Sequence, residues 1–268
     1  MSGAVTAPRT RARPSLGWLP LALTVALLGT AIAYPLTDGP ARDGVSWAIV
    51  LLGSGVSISH ALVSRGTRTG VGVLVLVAVV AVLFEAVGLS TGFPYGGYSY
   101  SDALGPTLLG VPFLVPLAWL MLAWPSWVVA RRLAPGSRPV RVAVAAYVFA
   151  VWDVVLDPQM VQAGYWRWHS PTPGLPGIDA VPLTNLAGWL LAGLVLMTLV
   201  DLLVERTARP GPPRTGDAAP LLTLGWMVLG GALAHAGWLG LPGSAAWGLV
   251  LALPVVAALA LQQRAERR

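Results

Sequence analysis

The chain of 268 residues has no cysteine and no lysine, and only 10% of its residues are charged. Without cysteine there can be no disulfide and no thiolate metal site. So few charges, against about a quarter in a soluble domain, cannot dress a water-exposed surface. The sequence also lacks a glycine-rich phosphate loop, a His-rich iron box and a serine nucleophile elbow. No motif for nucleotide, iron or acyl-enzyme chemistry is therefore present.

What fills the chain instead is apolar: 56% of residues are hydrophobic and the mean hydropathy is +0.71. Eight segments are long enough to cross about 30 Å of hydrocarbon at about 1.5 Å per residue. They are residues 16–34, 45–63, 70–89, 105–129, 139–156, 182–203, 220–239 and 245–261. The predicted fold is all-α, a polytopic bundle of about eight transmembrane helices in a cell membrane. Ala31-Ile32-Ala33 resembles a signal-peptide cleavage site, but seven further spans favour a retained first helix.

All basic residues are arginine, and fifteen of the seventeen fall in the N-terminal tail, alternate loops and the C-terminal tail. Only Arg42 and Arg167 fall on the other side. That bias predicts cytoplasmic termini, with tails at 1–15 and 262–268 around a single membrane domain at 16–261. It also accounts for a pI near 10.5 as topology rather than nucleic-acid binding.

Two loops on the arginine-poor side are long and aromatic: Ser90 to Pro106, and Pro158 to Val181. Tyr95, Tyr98, Tyr100, Trp166 and Trp168 suit the membrane interface. The loops also sit in similar settings. Glu85, a Gly-Tyr loop and Val111-Pro112 precede Trp119; Asp153 and Asp157, a Gly-Tyr-Trp loop and Val181-Pro182 precede Trp189. The Val-Pro to Trp spacing is the same in both, which predicts a parallel internal repeat.

A charged group at a helix centre costs roughly 2.5–3.5 kcal/mol, so each ionisable residue there needs a partner, water or a function. Glu85, Asp153, Asp157 and His235 fall toward the arginine-poor ends of their spans; His60 and Asp201 fall toward the other ends and are expected to be structural. Asp153 and Asp157 share a helix face. Two carboxyls so placed in low dielectric cannot both ionise cheaply, and one that keeps its proton is a proton donor. The bland alternative is bonding to loop amides or to Arg167. Asn185 and Trp189 add an amide and a ring to the same layer, and His235 with Trp238 adds a further pair. A carboxylic acid among aromatic rings suits protonation of an alkene, because ring quadrupoles stabilise the resulting carbocation.

The string from Phe84 through DVVLDPQMVQAGYWRW to VPLTNLAGW resembles the integral-membrane carotenoid hydratases of the bisanhydrobacterioruberin and gamma-carotene type. The resemblance covers roughly Phe84 to Leu190 and implies a cofactor-independent hydro-lyase. Such an enzyme adds water across the terminal double bond of an acyclic carotenoid end to give a tertiary alcohol. Its matching positions here are Glu85, Gly97, Tyr98, Asp153, Asp157, Pro158, Trp166, Trp168, Asn185 and Trp189. Leu186 stands where the family pattern has Phe. On this reading Asp153 or Asp157 is the acid, Glu85 positions water, and Tyr98, Trp166, Trp168, Asn185, Trp189 and His235 bind substrate. The partners implied are a lipophilic carotenoid, water, membrane lipid and other carotenoid enzymes.

Two other classes compete. A membrane prenyltransferase would use aspartates to hold magnesium and a diphosphate, but it calls for a second aspartate motif and nearby cations. A coupled transporter would place its acidic groups nearer the midplane, and a scaffold for carotenoid enzymes would not convert a carotenoid on its own.

Overall fold

A computed structural model describes residues 16–267 except 212 and 214. The expected tail at 1–15 lies outside the described residues, as do Arg214 and Arg268. Among the described residues eight helices are long and apolar enough to span a bilayer. They are α1 (Leu16–Leu36), α2 (Gly39–Arg65), α3 (Thr67–Thr91), α4 (Leu114–Leu133), α5 (Arg138–Gln162), α6 (Leu183–Thr207), α7 (Ala218–Leu239) and α8 (Pro242–Glu266). The protein is a multi-pass integral membrane protein. Its outer surface is correspondingly apolar, with Val75, Leu83, Leu194 and Leu253 among the exposed side chains.

The core is centred on α4, where Trp119, Leu120, Met121, Trp124 and Trp127 are all buried. Around it pack α2, α3, α5, α6 and α7, with α1 against α2 and α7, and α8 against α5 and α7. Both α3 and α5 pack against both α4 and α6, the arrangement expected if α3–α4 and α5–α6 are equivalent hairpins.

The fourth span starts later than its hydropathy predicts. Thr107–Leu108 (β2) and Val111–Pro112 (β3) form a small hairpin, and the helix begins at Leu114. Gly105 and Gly110, at φ +77° and +79°, make turns that a helix cannot contain. The fifth span instead ends later, running through Pro158 to Gln162. Proline lacks the N–H that would bond the carbonyl four residues back, Val154. The hydroxyl of Ser244 on α8 donates to that carbonyl at 2.8 Å. A turn at Trp152 separates the last segment, Asp153–Gln162, from the rest of α5.

The two aromatic loops meet. Tyr98–Tyr100 (β1) pairs antiparallel with Trp166–Trp168 (β4), with Tyr98 opposite Trp168 and Tyr100 opposite Trp166. Their ring centroids lie 5.0 and 5.8 Å apart. Gly88 and Gly188 let this lid sit close to the bundle. A side chain at Gly188 would collide with Pro94 and Tyr95, and one at Gly88 would crowd Tyr95 and Tyr98.

At the arginine-rich end, the buried charge is matched. Arg141 grips Asp201 with two hydrogen bonds of 2.6 and 2.7 Å, and Trp127 donates to the same carboxylate at 2.8 Å. His60 accepts from Trp124 at 2.9 Å through Nδ1, so its Nε2 carries the hydrogen facing the Gly216 carbonyl. Neither Asp201 nor His60 reaches the cavity described next.

Candidate active site

A cavity of about 270 Å³ lies under the β1–β4 lid. Glu85, Asp153 and Asp157 all line it, together with Tyr98, Trp166, Trp168, Asn185 and Trp189. All three carboxyl-bearing residues are buried. The bundle thus gathers every site residue expected from the sequence except His235.

Each hairpin supplies its own carboxylate with donors from its own strand. Alternate residues of a strand point to one face, so Tyr98 and Tyr100 both reach Glu85, donating to Oε2 at 2.5 and 2.8 Å. Trp166 and Trp168 likewise reach Asp157, with indole N–H bonds of 2.5 and 3.0 Å. Arg167, between them, is exposed and forms no part of this arrangement. In both loops alternate residues of a short strand bond one carboxylate of the preceding helix.

Asn185 ties the layer together. Its amide nitrogen donates to Asp153 at 2.6 Å and to Asp157 at 2.7 Å. An amide NH₂ has two hydrogens, and both are used here. Asp157 therefore accepts from three N–H groups and Asp153 from one. The phenols of Tyr98 and Tyr100 hold their protons strongly, since burial first and the Glu85 charge second push both far above the ordinary tyrosine range. They are fixed donors rather than acids for the chemistry.

Residues not singled out for the site complete the wall. Trp119 lines the cavity and, with Phe149 outside the lining, packs tilted against Trp189, the two ring centroids 5.2 and 5.1 Å from it. Tyr95 is buried beside Trp189 and its hydroxyl has no partner among the described residues. On the α2 side Tyr165 donates to Asp43 at 2.7 Å and lies 3.1 Å from Ser46. Burial, ahead of the Asp43 contact, pushes the Tyr165 phenol up to about 12. Leu186, the departure from the family pattern, is not in the wall of this cavity.

His235 sits elsewhere. It is fully buried behind the cavity wall, 2.9 Å from Ser244 through Nδ1 and 2.9 Å from the Gln159 amide through Nε2. The ring thus braces α7, α8 and the end of α5, and its neighbour in the sequence reading, Trp238, is the one that lines the cavity.

A family model described as "Carotenoid biosynthesis protein" matches residues 45–255, a stretch that contains Glu85, Asp153, Asp157 and their donors. The chain belongs to that family. The chain is also 36% identical over 126 residues to the bisanhydrobacterioruberin hydratase of Haloarcula japonica. The match covers 46% of the chain and 41% of the length of that relative. No solved structure matches.

Proposed function

We propose that this carotenoid biosynthesis protein is a hydratase that adds water to the terminal C=C of an acyclic carotenoid end group. The observation that carries the reading is the unequal hydrogen bonding of the three carboxyls around one apolar, ring-walled cavity.

Hydrogen bonds donated to a carboxylate favour its charged form. Asp157, with three N–H donors, and Glu85, with two phenols, are the carboxylates of the site. Asp153, with a single donor on Oδ2, is the carboxylic acid, its proton on Oδ1. Asp153 gives this proton to the CH carbon of the terminal alkene, and the π pair leaves a tertiary cation on the dimethyl carbon. The faces of Trp189, Trp119 and Trp168 stabilise that charge. Both phenols bond Oε2 of Glu85, which leaves Oε1 to hold the attacking water and accept its proton as the C–O bond forms. Glu85 then releases that proton and Asp153 takes one up, which closes the cycle, and the net change is addition of one water. The arginine bias puts this layer at the extracytoplasmic side, with both termini in the cytoplasm.

Expression of Asp153→Asn, Glu85→Gln and Asp157→Asn in a host making an acyclic carotenoid tests the scheme. The parent chain is expected to raise pigment mass by one water per modified end. Full conversion by all three variants would remove the acid mechanism.

A further inference from the structure

Among the side chains that line the cavity, four large apolar ones are also exposed on the outer surface of the bundle: Ile32, Leu36, Leu233 and Trp238. Their exposures run from 54% to 65%. All four come from two neighbouring helices, the last turns of α1 and α7. No exposed large apolar residue of α2 to α6 or α8 borders the cavity. The wall between α1 and α7 is also built of small residues, since Ala31, Gly230 and Ala234 line it. The cavity therefore reaches the lipid-facing surface between α1 and α7, while its carboxyl and amide groups come from α3, α5 and α6.

We infer that the cleft between α1 and α7 is a lateral portal through which an isoprenoid polyene enters from the bilayer, end first. This rests on the hydration reading for the identity of the ligand, and extends it to a route and a depth. The exposed rim is apolar, built of Ile32, Leu36, Leu233 and the ring of Trp238, so a hydrocarbon chain loses little solvation in moving from lipid to rim. The depth is short. A volume of about 270 Å³ lies just below the range of about 300–1,000 Å³ that encloses drug-sized ligands. It takes a chain end, not a forty-carbon chain, so the rest of the polyene stays in the bilayer between Leu36 and Trp238. Each end of a symmetric carotenoid must then be processed in a separate binding event.

The rim is tested with the full chain in lipid vesicles containing an acyclic C40 polyene with isopropylidene ends. A diazirine-bearing amino acid replaces Ile32 or Leu233 at the rim. In the controls it replaces Val25 or Leu229, which lie on the same two helices, are equally exposed, and do not border the cavity. After irradiation, mass spectrometry is expected to find several-fold more polyene adduct at the two rim positions than at the two controls. Equal adducts at all four, or none at the rim, would overturn the portal. Adduct formation needs no turnover, so the two readings fail separately. Rim capture without any alcohol product keeps the portal and rejects hydration. Alcohol product with even adducts keeps hydration and rejects the portal.

Discussion

The amide nitrogen of Asn185 lies 2.6 Å from Oδ2 of Asp153, and its other hydrogen goes to Asp157 at 2.7 Å. One side chain on α6 therefore sets the spacing of two carboxyls on α5 that would otherwise repel each other. Asn185→Leu removes both bonds while keeping the size. A hydrogen bond to a charged group contributes about 1.5–3 kcal/mol, which corresponds to about a 10- to 160-fold loss of rate. Asn185 acts through its neighbours, so the loss should fall on kcat rather than KM. Conversion kinetics in vesicles check this, and a rise in KM at unchanged kcat would contradict it.

The eight spans were legible because the hydrocarbon thickness imposes a length on every segment and arginine marks alternate ends. Glu85, Asp153, Asp157 and Asn185 were legible because polar groups so deep in apolar helices need each other. The lid was not. That Tyr98 faces Trp168 depends on two loops meeting across the bundle, and nothing local specifies it. A weaker signal was present, since Tyr98 and Tyr100, like Trp166 and Trp168, alternate with the period of a strand. The grouping of His235 with Trp238 assumed a regular α-helix, in which residues three apart share a face. Residues 235–239 form a π turn instead, which directs the imidazole to Ser244 and Gln159. The gap between α1 and α7 is a property of packing, and hydropathy treats their lipid-facing and cavity-facing residues alike.

The two aspartates should separate when mutated singly. Asp153→Asn keeps a partner for Asn185 and removes the acid, so activity should fall by about 10²- to 10⁴-fold with thermal stability nearly unchanged. Asp157→Asn changes the acceptor of two indole N–H bonds that fasten β4. Its loss of activity should come with a lower melting temperature and altered tryptophan fluorescence. Equal destabilisation by the two substitutions would contradict the division between acid and anchor.

Charge at the opposite end serves the fold. Arg141→Met leaves the buried Asp201 carboxylate with the Trp127 indole at 2.8 Å and only the half-exposed Arg138 guanidinium, at 3.5 Å, as a cation. Breaking a buried pair from one side costs about 3–5 kcal/mol, enough to lower the yield of folded protein sharply. Whatever folds should convert substrate at the parent rate, because Asp201 does not border the cavity. Folded yield by size-exclusion chromatography and activity per folded molecule check the two halves. Normal yield with lost activity would place this pair in the chemistry.

The absence of cysteine makes orientation directly measurable. A single cysteine introduced at Asp102, in the loop between β1 and β2, should react in intact cells with a membrane-impermeant maleimide. A cysteine at Gly136, between α4 and α5, should react only after the membrane is opened, because the positive-inside bias puts Arg131, Arg132 and Arg138 in the cytoplasm. Both positions lie in connections rather than in spans, so neither change should disturb the bundle. If the labelling is reversed, the carboxyl layer faces the cytoplasm. The proton used by Asp153 would then be drawn from that side, while the portal between α1 and α7, defined by the helices alone, would stay where it is.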